Sequence, residues 1–320
     1  MDCFARNDIY FHRALYQLQN GTEPLNIKFL YDIMLKKRRY SMKTSLLKTY
    51  KKEIIFFYVL SAVSLAAATF FDLQIDIFLN NTKSIIATWF EKTGEMPASV
   101  LITIAVAFIV KCCDKKWIKY VGSAVTLGAG GYFGSWFGGR LFTEDDFQTV
   151  FSIIFGVGFA AVTLFVMHFI VIPENAKKPL LVISVLGLAV LGAESGIVGL
   201  MKGLWGRERF RNLDGNYSQF TPWYVINGFN GRHSFPSGHT GSAGMSYLLM
   251  LLPFVSEKCR KYKTALFAGG FFYTSLVAAT RLVMGAHYLS DVTVGGVVSF
   301  SLTLAAIAVY EKLQKGSFLK

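Results

Sequence analysis

Eight stretches of this 320-residue chain are too apolar, and too nearly free of charge, to sit in water. They run over about residues 54–71, 97–112, 117–138, 150–172, 179–201, 240–255, 264–283 and 291–310. A hydrocarbon core about 30 Å thick takes about 20 residues of helix. The pattern therefore predicts an all-α integral membrane protein, a helical bundle with about eight transmembrane helices. The sixth stretch is the shortest, and its apolar face continues back into the polar loop before it. Composition agrees, at 53% hydrophobic and 17% charged, where soluble chains carry about 25% charged residues. Disordered, collagen-like and coiled-coil chains are excluded on the same ground.

A net charge of +13 on one soluble face would suggest nucleic acid, but its distribution gives a different reading. Threading the eight stretches alternately puts 24 of the 33 Lys and Arg residues on the side that holds both termini and 9 on the other. By the positive-inside rule both termini are expected in the cytoplasm, and no nucleic-acid partner is expected. Residues 1–53 read as a basic cytoplasmic segment without the apolar core or cleavage site of a signal peptide. The run Lys36-Lys37-Arg38-Arg39-Tyr40 within it serves topology before lipid binding. Cys3, Cys112, Cys113 and Cys259 all fall on or near the reducing side, so no disulfide is expected. Gly130, Gly134 and Gly138, and likewise Gly192 and Gly196, recur at every fourth residue, a spacing that lets helix backbones approach closely.

Two loops on the side poor in positive charge carry the chemistry. The first opens with Lys202, Arg207, Arg209 and Arg211 and closes with Arg232, His233 and the run Pro236-Ser237-Gly238-His239. The second holds Thr280, Arg281, His287 and Asp291. Lys202, Arg209 and Arg281 supply three positive charges, and the fork of an arginine matches phosphate oxygens. Ser237, Gly238 and His239 fall where the sixth helix begins, a place that offers free N–H groups to an anion. His287 and Asp291, four apart, share one helical face. A carboxylate there fixes the imidazole tautomer and makes His287 a candidate nucleophile.

In order and internal spacing, these residues resemble the type 2 phosphatidic acid phosphatase family, whose pattern is KxxxxxxRP, PSGH and SRxxxxxHxxxD. The match runs from Lys202 to Asp291, with Phe210 in place of the motif's proline and Thr280 in place of its serine. The resemblance implies that His287 attacks phosphorus to form a phosphohistidine, with Asp291 orienting it. His239 would protonate the leaving oxygen and then activate water, while Lys202, Arg209, Ser237, Gly238 and Arg281 hold the phosphate. Arg207, Arg232 and Thr280 are candidates for the entrance or for a supporting layer, with a solvated rim as the plain alternative for the two arginines. The aromatic run Tyr217, Phe220, Trp223, Tyr224 and Phe229 reads either as a lid or as an interfacial belt. No carboxylate cluster suggests a magnesium site, so a metal-free and cofactor-free reaction is expected.

The chain then divides into a basic segment (1–53), N-terminal membrane helices including a probable extra hairpin made by the third and fourth helices (54–178), a phosphatase core (179–310) and a cytoplasmic tail (311–320). The expected activity is hydrolysis of a lipid phosphomonoester or diphosphate at the extracytoplasmic face of a cell membrane. Undecaprenyl diphosphate, phosphatidylglycerol phosphate, phosphatidic acid and lipid A phosphates are all admitted as substrates. A phosphotransferase using the same intermediate is the near alternative. A transporter is the alternative from another class, disfavoured because the polar groups cluster at one surface. Glu194, the single acid seen deep in an expected helix, reads as structurally paired or protonated before catalytic.

Overall fold

A computed structural model of the chain describes residues 45–141 and 146–316. Most of the basic segment, with Cys3 and the 36–40 run, and residues 317–320 of the tail lie outside the described residues. Every regular element among the described residues is helical. A short α1 (Leu46–Thr49) leads into α2 (Lys51–Leu79), followed by α3 (Ile85–Thr93), α4 (Met96–Cys112), α5 (Lys116–Leu141), α6 (Asp146–Phe169) and α7 (Glu174–Trp205). After a long loop come α8 (Gly238–Ala243), a 3₁₀ stretch (Gly244–Phe254), α9 (Glu257–Lys261), α10 (Lys263–Val283) and α11 (Leu289–Lys315).

All eight apolar stretches are helical, but the count of spans differs. Among the described residues six helical stretches are long and apolar enough to cross a bilayer. The helices α5 and α8 are not among them. α8 has only six residues before it tightens into the eleven-residue 3₁₀ stretch. At about 1.5 Å per α-helical and about 2.0 Å per 3₁₀ residue, the two together still reach about 30 Å. α2 exceeds its expected apolar stretch by eight residues, from 71 to Leu79, because Asp72 and Asp76 face inward and find shelter there.

The core lies between α2, the 3₁₀ stretch, α10 and α11. Phe57, Tyr247, Phe267 and Phe300 interlock, with the Phe57 and Phe300 ring centres 4.0 Å apart. α11 is anchored at its far end by Glu311, which accepts from the Leu46 N–H at 2.5 Å and the Ser45 hydroxyl at 2.9 Å. The α5–α6 hairpin packs on itself and against α4. A Cβ at Gly134 would lie 2.2 Å from the Ser152 carbonyl oxygen, and one at Gly130 would lie 2.4 Å from Ala160 Cβ, so both glycines permit the approach. Gly192 and Gly196 do not act this way: nothing lies within 4 Å of where their Cβ atoms would be. Spacing along α7 places them on one face, but among the described residues neither stands at a close approach.

α2 and α10 end, and α8 and α11 begin, at one end of the bundle, where α7 also finishes. That arrangement gathers the charged loops into one place.

Candidate active site

α7 carries Lys202 in its last turn and stops at Gly206, whose φ is +49°. A side chain there would be strained, and its Cβ would meet the Gly228 carbonyl oxygen at 2.2 Å. This left-handed turn sends Arg207 into the protein, where it is fully buried. Its Nε donates to the Thr221 carbonyl at 2.8 Å, one terminal nitrogen to Asp291 Oδ1 at 2.6 Å and the Ser290 hydroxyl at 2.8 Å, and the other to Asp72 Oδ2 at 2.9 Å. The guanidinium also lies 3.9 Å from the ring centre of Tyr288. The solvated-rim reading of Arg207 is therefore overturned: two buried carboxylates hold it inside.

His287 follows a second left-handed turn at Gly285, with φ +56°, and is 2% exposed. Its Nδ1 lies 3.5 Å from Asp291 Oδ2, in ion-pair range and longer than an ordinary hydrogen bond. Asp291 is itself held from several sides. Besides Arg207, it takes the Ser234 hydroxyl at 2.5 Å and, in a capping box, the Tyr288 N–H at 3.1 Å. Burial pushes the His287 pKa down to about 3, against the smaller opposing pull of Asp291, so the ring is neutral at physiological pH. With Nδ1 turned to the carboxylate, Nε2 is left as the basic nitrogen.

Two cations act on this ring, and a third, Arg209, acts on its partner Asp291. Lys202 Nζ donates to the His233 carbonyl at 2.7 Å, and both Lys202 and Arg281 act electrostatically on His287. Arg281 is 2% exposed, and one terminal nitrogen donates to Glu91 Oε1 at 3.0 Å. Its Nε and other terminal nitrogen have no partner among the described residues. Buried donors left open in this way are costly, and an anion would satisfy them. Arg209 precedes the 3₁₀ turn of Phe210–Asn212, where Phe210 packs its ring against Tyr217 and Tyr288. The bend after Arg209 is thus held by packing where the family motif has a proline.

Ser237 is fully buried and caps α8, accepting from the Thr240 N–H at 3.3 Å, while its own N–H donates to the Asp291 carbonyl at 2.9 Å. That contact joins the two histidine segments, and Gly295 makes room for it, since a Cβ there would lie 2.5 Å from the Ser237 carbonyl oxygen. Gly238 packs over Lys202. His239 is partly exposed, with Nδ1 3.2 Å from Glu95 Oε1 and Nε2 3.1 Å from the Glu91 carbonyl oxygen. Thr280 turns away from this cluster, donating to the Val277 carbonyl of its own helix at 2.7 Å. Arg232 pairs with Glu208 at 2.9 Å near the surface. The aromatic run divides: Tyr217 and Phe220 pack against Phe210 and Tyr288, whereas Tyr224 and Phe229 are exposed.

Sequence reasoning missed four acids here. Asp72 and Asp76, one turn apart on α2, are buried, and both carboxylate oxygens of Asp76 lack a partner. Glu91 and Glu95 bracket the α3–α4 junction. Each pair is spaced four residues apart just past an apolar stretch or beside the next one, which is a signal that could have been read. Glu194 is buried against Gly241, its nearest polar contact being the Ser195 hydroxyl at 3.5 Å, with no cation beside Oε1. Among the described residues Glu194 forms no ion pair, so of the two expected readings, paired or protonated, the first is not met.

The PAP2 superfamily profile matches residues 178–315. A lipid A 4'-phosphatase from Rhizobium leguminosarum is 33% identical over 143 residues, which is 44% of this chain and 59% of that relative. The chain thus spans somewhat more than half the length of the relative. No solved structure matches.

Proposed function

We propose that this chain, a member of the type 2 phosphatidic acid phosphatase superfamily through residues 178–315, is a membrane lipid phosphatase that works through a phosphohistidine on His287. The observation that carries the proposal is the pairing of a buried, neutral His287 with a buried Arg281 whose Nε and one terminal nitrogen are open. A phosphoryl group set between them meets a nucleophile and an unsatisfied cation at once.

In the reaction, the lone pair of His287 Nε2 forms a bond to phosphorus as the bond to the lipid oxygen breaks. Asp291, compensated by Arg207, stabilises the imidazolium that results. His239 gives its proton to the departing oxygen. A water then attacks phosphorus and returns a proton to His239, the N–P bond breaks, and inorganic phosphate leaves. Lys202, Arg209 and Arg281, with Ser237 and the Gly238 N–H, oppose the charge on the equatorial oxygens. Among the described residues no three His, Cys, Asp or Glu side chains stand together as a metal site. With three cations already serving the phosphate, the transfer is proposed to need no metal.

A cleft of about 250 Å³ between α2, α8, α10 and α11, lined by Leu60, Phe271, Leu282, Leu289 and Val292, reaches Thr240 beside His239. It suits the hydrocarbon of a lipid substrate. The charge asymmetry supports an extracytoplasmic site. Phosphate release by the purified protein from phosphatidic acid, phosphatidylglycerol phosphate, undecaprenyl diphosphate and lipid A tests the reading. Release that survives a chelator and is blocked by vanadate is expected. No release from any of the four, or loss on chelation restored by magnesium, would contradict it. For the topology, cysteines at Ser218 and Ser256 should differ on intact cells, with an impermeant thiol reagent labelling Ser218 alone.

A further inference from the structure

His239 lies between two groups that only accept hydrogen bonds. Its Nδ1 faces the Glu95 carboxylate at 3.2 Å and its Nε2 faces the Glu91 main-chain carbonyl at 3.1 Å. A neutral imidazole has one N–H and can satisfy only one of these neighbours, while the doubly protonated ring satisfies both. We infer that Glu95 is a positioning residue for His239, holding it as an imidazolium whose Nε2 proton, resting on the Glu91 carbonyl, is the one given to the leaving oxygen. This rests on the phosphohistidine reading above and assigns to the N-terminal half of the chain a part in the chemistry.

The local structure explains how Glu95 reaches the site. α3 ends at Thr93 and packs on α10, and Gly94 sits so close to that helix that a Cβ would lie 3.0 Å from Val277 Cγ1. The tight junction sets Glu95 at the N-cap of α4, facing α8. When substrate binds, its leaving oxygen takes the place of the Glu91 carbonyl as acceptor at Nε2, while Glu95 keeps Nδ1. As the P–O bond breaks, the Nε2 proton passes to that oxygen and the ring becomes neutral with its remaining proton on Nδ1. The ring is then the base that the hydrolytic water needs.

The charged groups on the elements packed against α8 bear on this titration from several sides. Glu91 and Glu95 come from the α3–α4 segment, Lys202 and Glu194 from α7, Arg281 from α10, and His287 and Asp291 from the start of α11. Two of these are cations that oppose a second proton on His239. Glu95 is the carboxylate in contact with the ring, and its removal has a sign: the imidazolium loses its counter-charge and gives up its proton at lower pH.

The test compares Glu95→Gln and Glu95→Asp on two substrates, dodecyl phosphate with a poor leaving group and p-nitrophenyl phosphate with a good one. Glu95→Gln should slow dodecyl phosphate about 10- to 100-fold while leaving p-nitrophenyl phosphate within about 2-fold. The alkaline limb of its kcat profile should fall by about one pH unit. Glu95→Asp keeps the charge, so its limb should stay near that of the parent. In a His239→Gln background, Glu95→Gln should add nothing to the leaving-group ratio. Equal slowing of both substrates, an unmoved limb, or a Glu95→Gln protein that loses its fold while Glu95→Asp keeps it would make Glu95 structural and overturn the inference. A parent enzyme whose leaving-group ratio is untouched by His239→Gln would instead overturn the role of His239 as acid in the reaction proposed above.

Discussion

His287 is 2% exposed and turned toward a carboxylate clamped by a buried arginine, whereas the His239 side chain keeps 18% of its surface and lies between a carboxylate and a carbonyl oxygen. The two rings belong to one site, joined through the bond from the Ser237 N–H to the Asp291 carbonyl. Their surroundings nonetheless differ in depth and in the groups that each ring faces. Burial strips His287 of its proton, and the nearest carboxylate is already engaged by Arg207, Ser234 and the Tyr288 N–H. His239 is wetter and faces acceptors at both nitrogens. In the proposed reaction this contrast lets one residue type serve as both nucleophile and proton donor: the partner of each carboxylate matters as much as the carboxylate.

Breaking the contrast at its deeper end should have the largest effect. His287→Ala is expected to lower turnover by on the order of 10⁴-fold or more, as loss of a nucleophile does, measured as phosphate release from the best lipid substrate. Replacing Arg207 strikes the same ring from behind. Arg207→Met leaves Asp72 and Asp291 buried without their cation, at a cost of about 3–5 kcal/mol. The measurement is thermal unfolding in detergent, and adding Asp72→Asn should recover part of the loss. If Arg207→Met unfolds like the parent, the clamp is not what holds Asp291.

Smaller changes sharpen the contrast at the phosphate. Arg281→Lys keeps the charge but loses the fork, and should lower kcat about 10- to 100-fold with the fold intact. Glu91 Oε1 accepts from both Arg281 and Arg211 at 3.0 Å, so an anionic substrate competes with it for Arg281. Glu91→Gln should tighten vanadate inhibition by a few-fold. The smallest expected effect is none at all. With the substrate's own ionisation near about pH 6 divided out, phosphoenzyme formation from p-nitrophenyl phosphate should not fall between about pH 7 and 5. The lowered pKa of His287, to about 3, keeps the ring neutral throughout that window and releases it to protonation only well below it. A fall with a midpoint near 6.5, the ordinary histidine value, would show a nucleophile in contact with water.

The half of this contrast that depends on local spacing was legible in the sequence. The spacing of four sets His287 beside Asp291, although His287 lies in the turn before α11 and not on its face, and Lys202, Arg209, Ser237 and Arg281 stand out as polar groups in loops that membrane topology should leave sparse. What failed was depth. Arg207 lies among Lys202, Arg209 and Arg211, and nothing in that run tells which arginine a left-handed glycine turns inward. Its partner Asp72 lies 135 residues earlier, past the end of an apolar stretch, where an acid reads as a helix stop. Glu91 and Glu95 were passed over for the same reason, since their role comes from the close packing of Gly94 on α10. The eight helical stretches were visible as hydropathy, yet the narrow 3₁₀ geometry that lets seventeen residues, Gly238 to Phe254, span so far was not.

The central claim, that phosphate rests on His287 while His239 carries the protons, is open to direct reading in the His239→Ala protein. Mixed with p-nitrophenyl phosphate, whose leaving group needs no acid, this variant should form the phosphoenzyme and, lacking the base for water, accumulate it. Rapid cold quenching followed by peptide mass spectrometry locates the modification. Phosphate on His287, absent when His287 is also replaced, is the predicted result. Phosphate on His239 in a His287→Ala protein, or no covalent phosphate in either, would contradict the account.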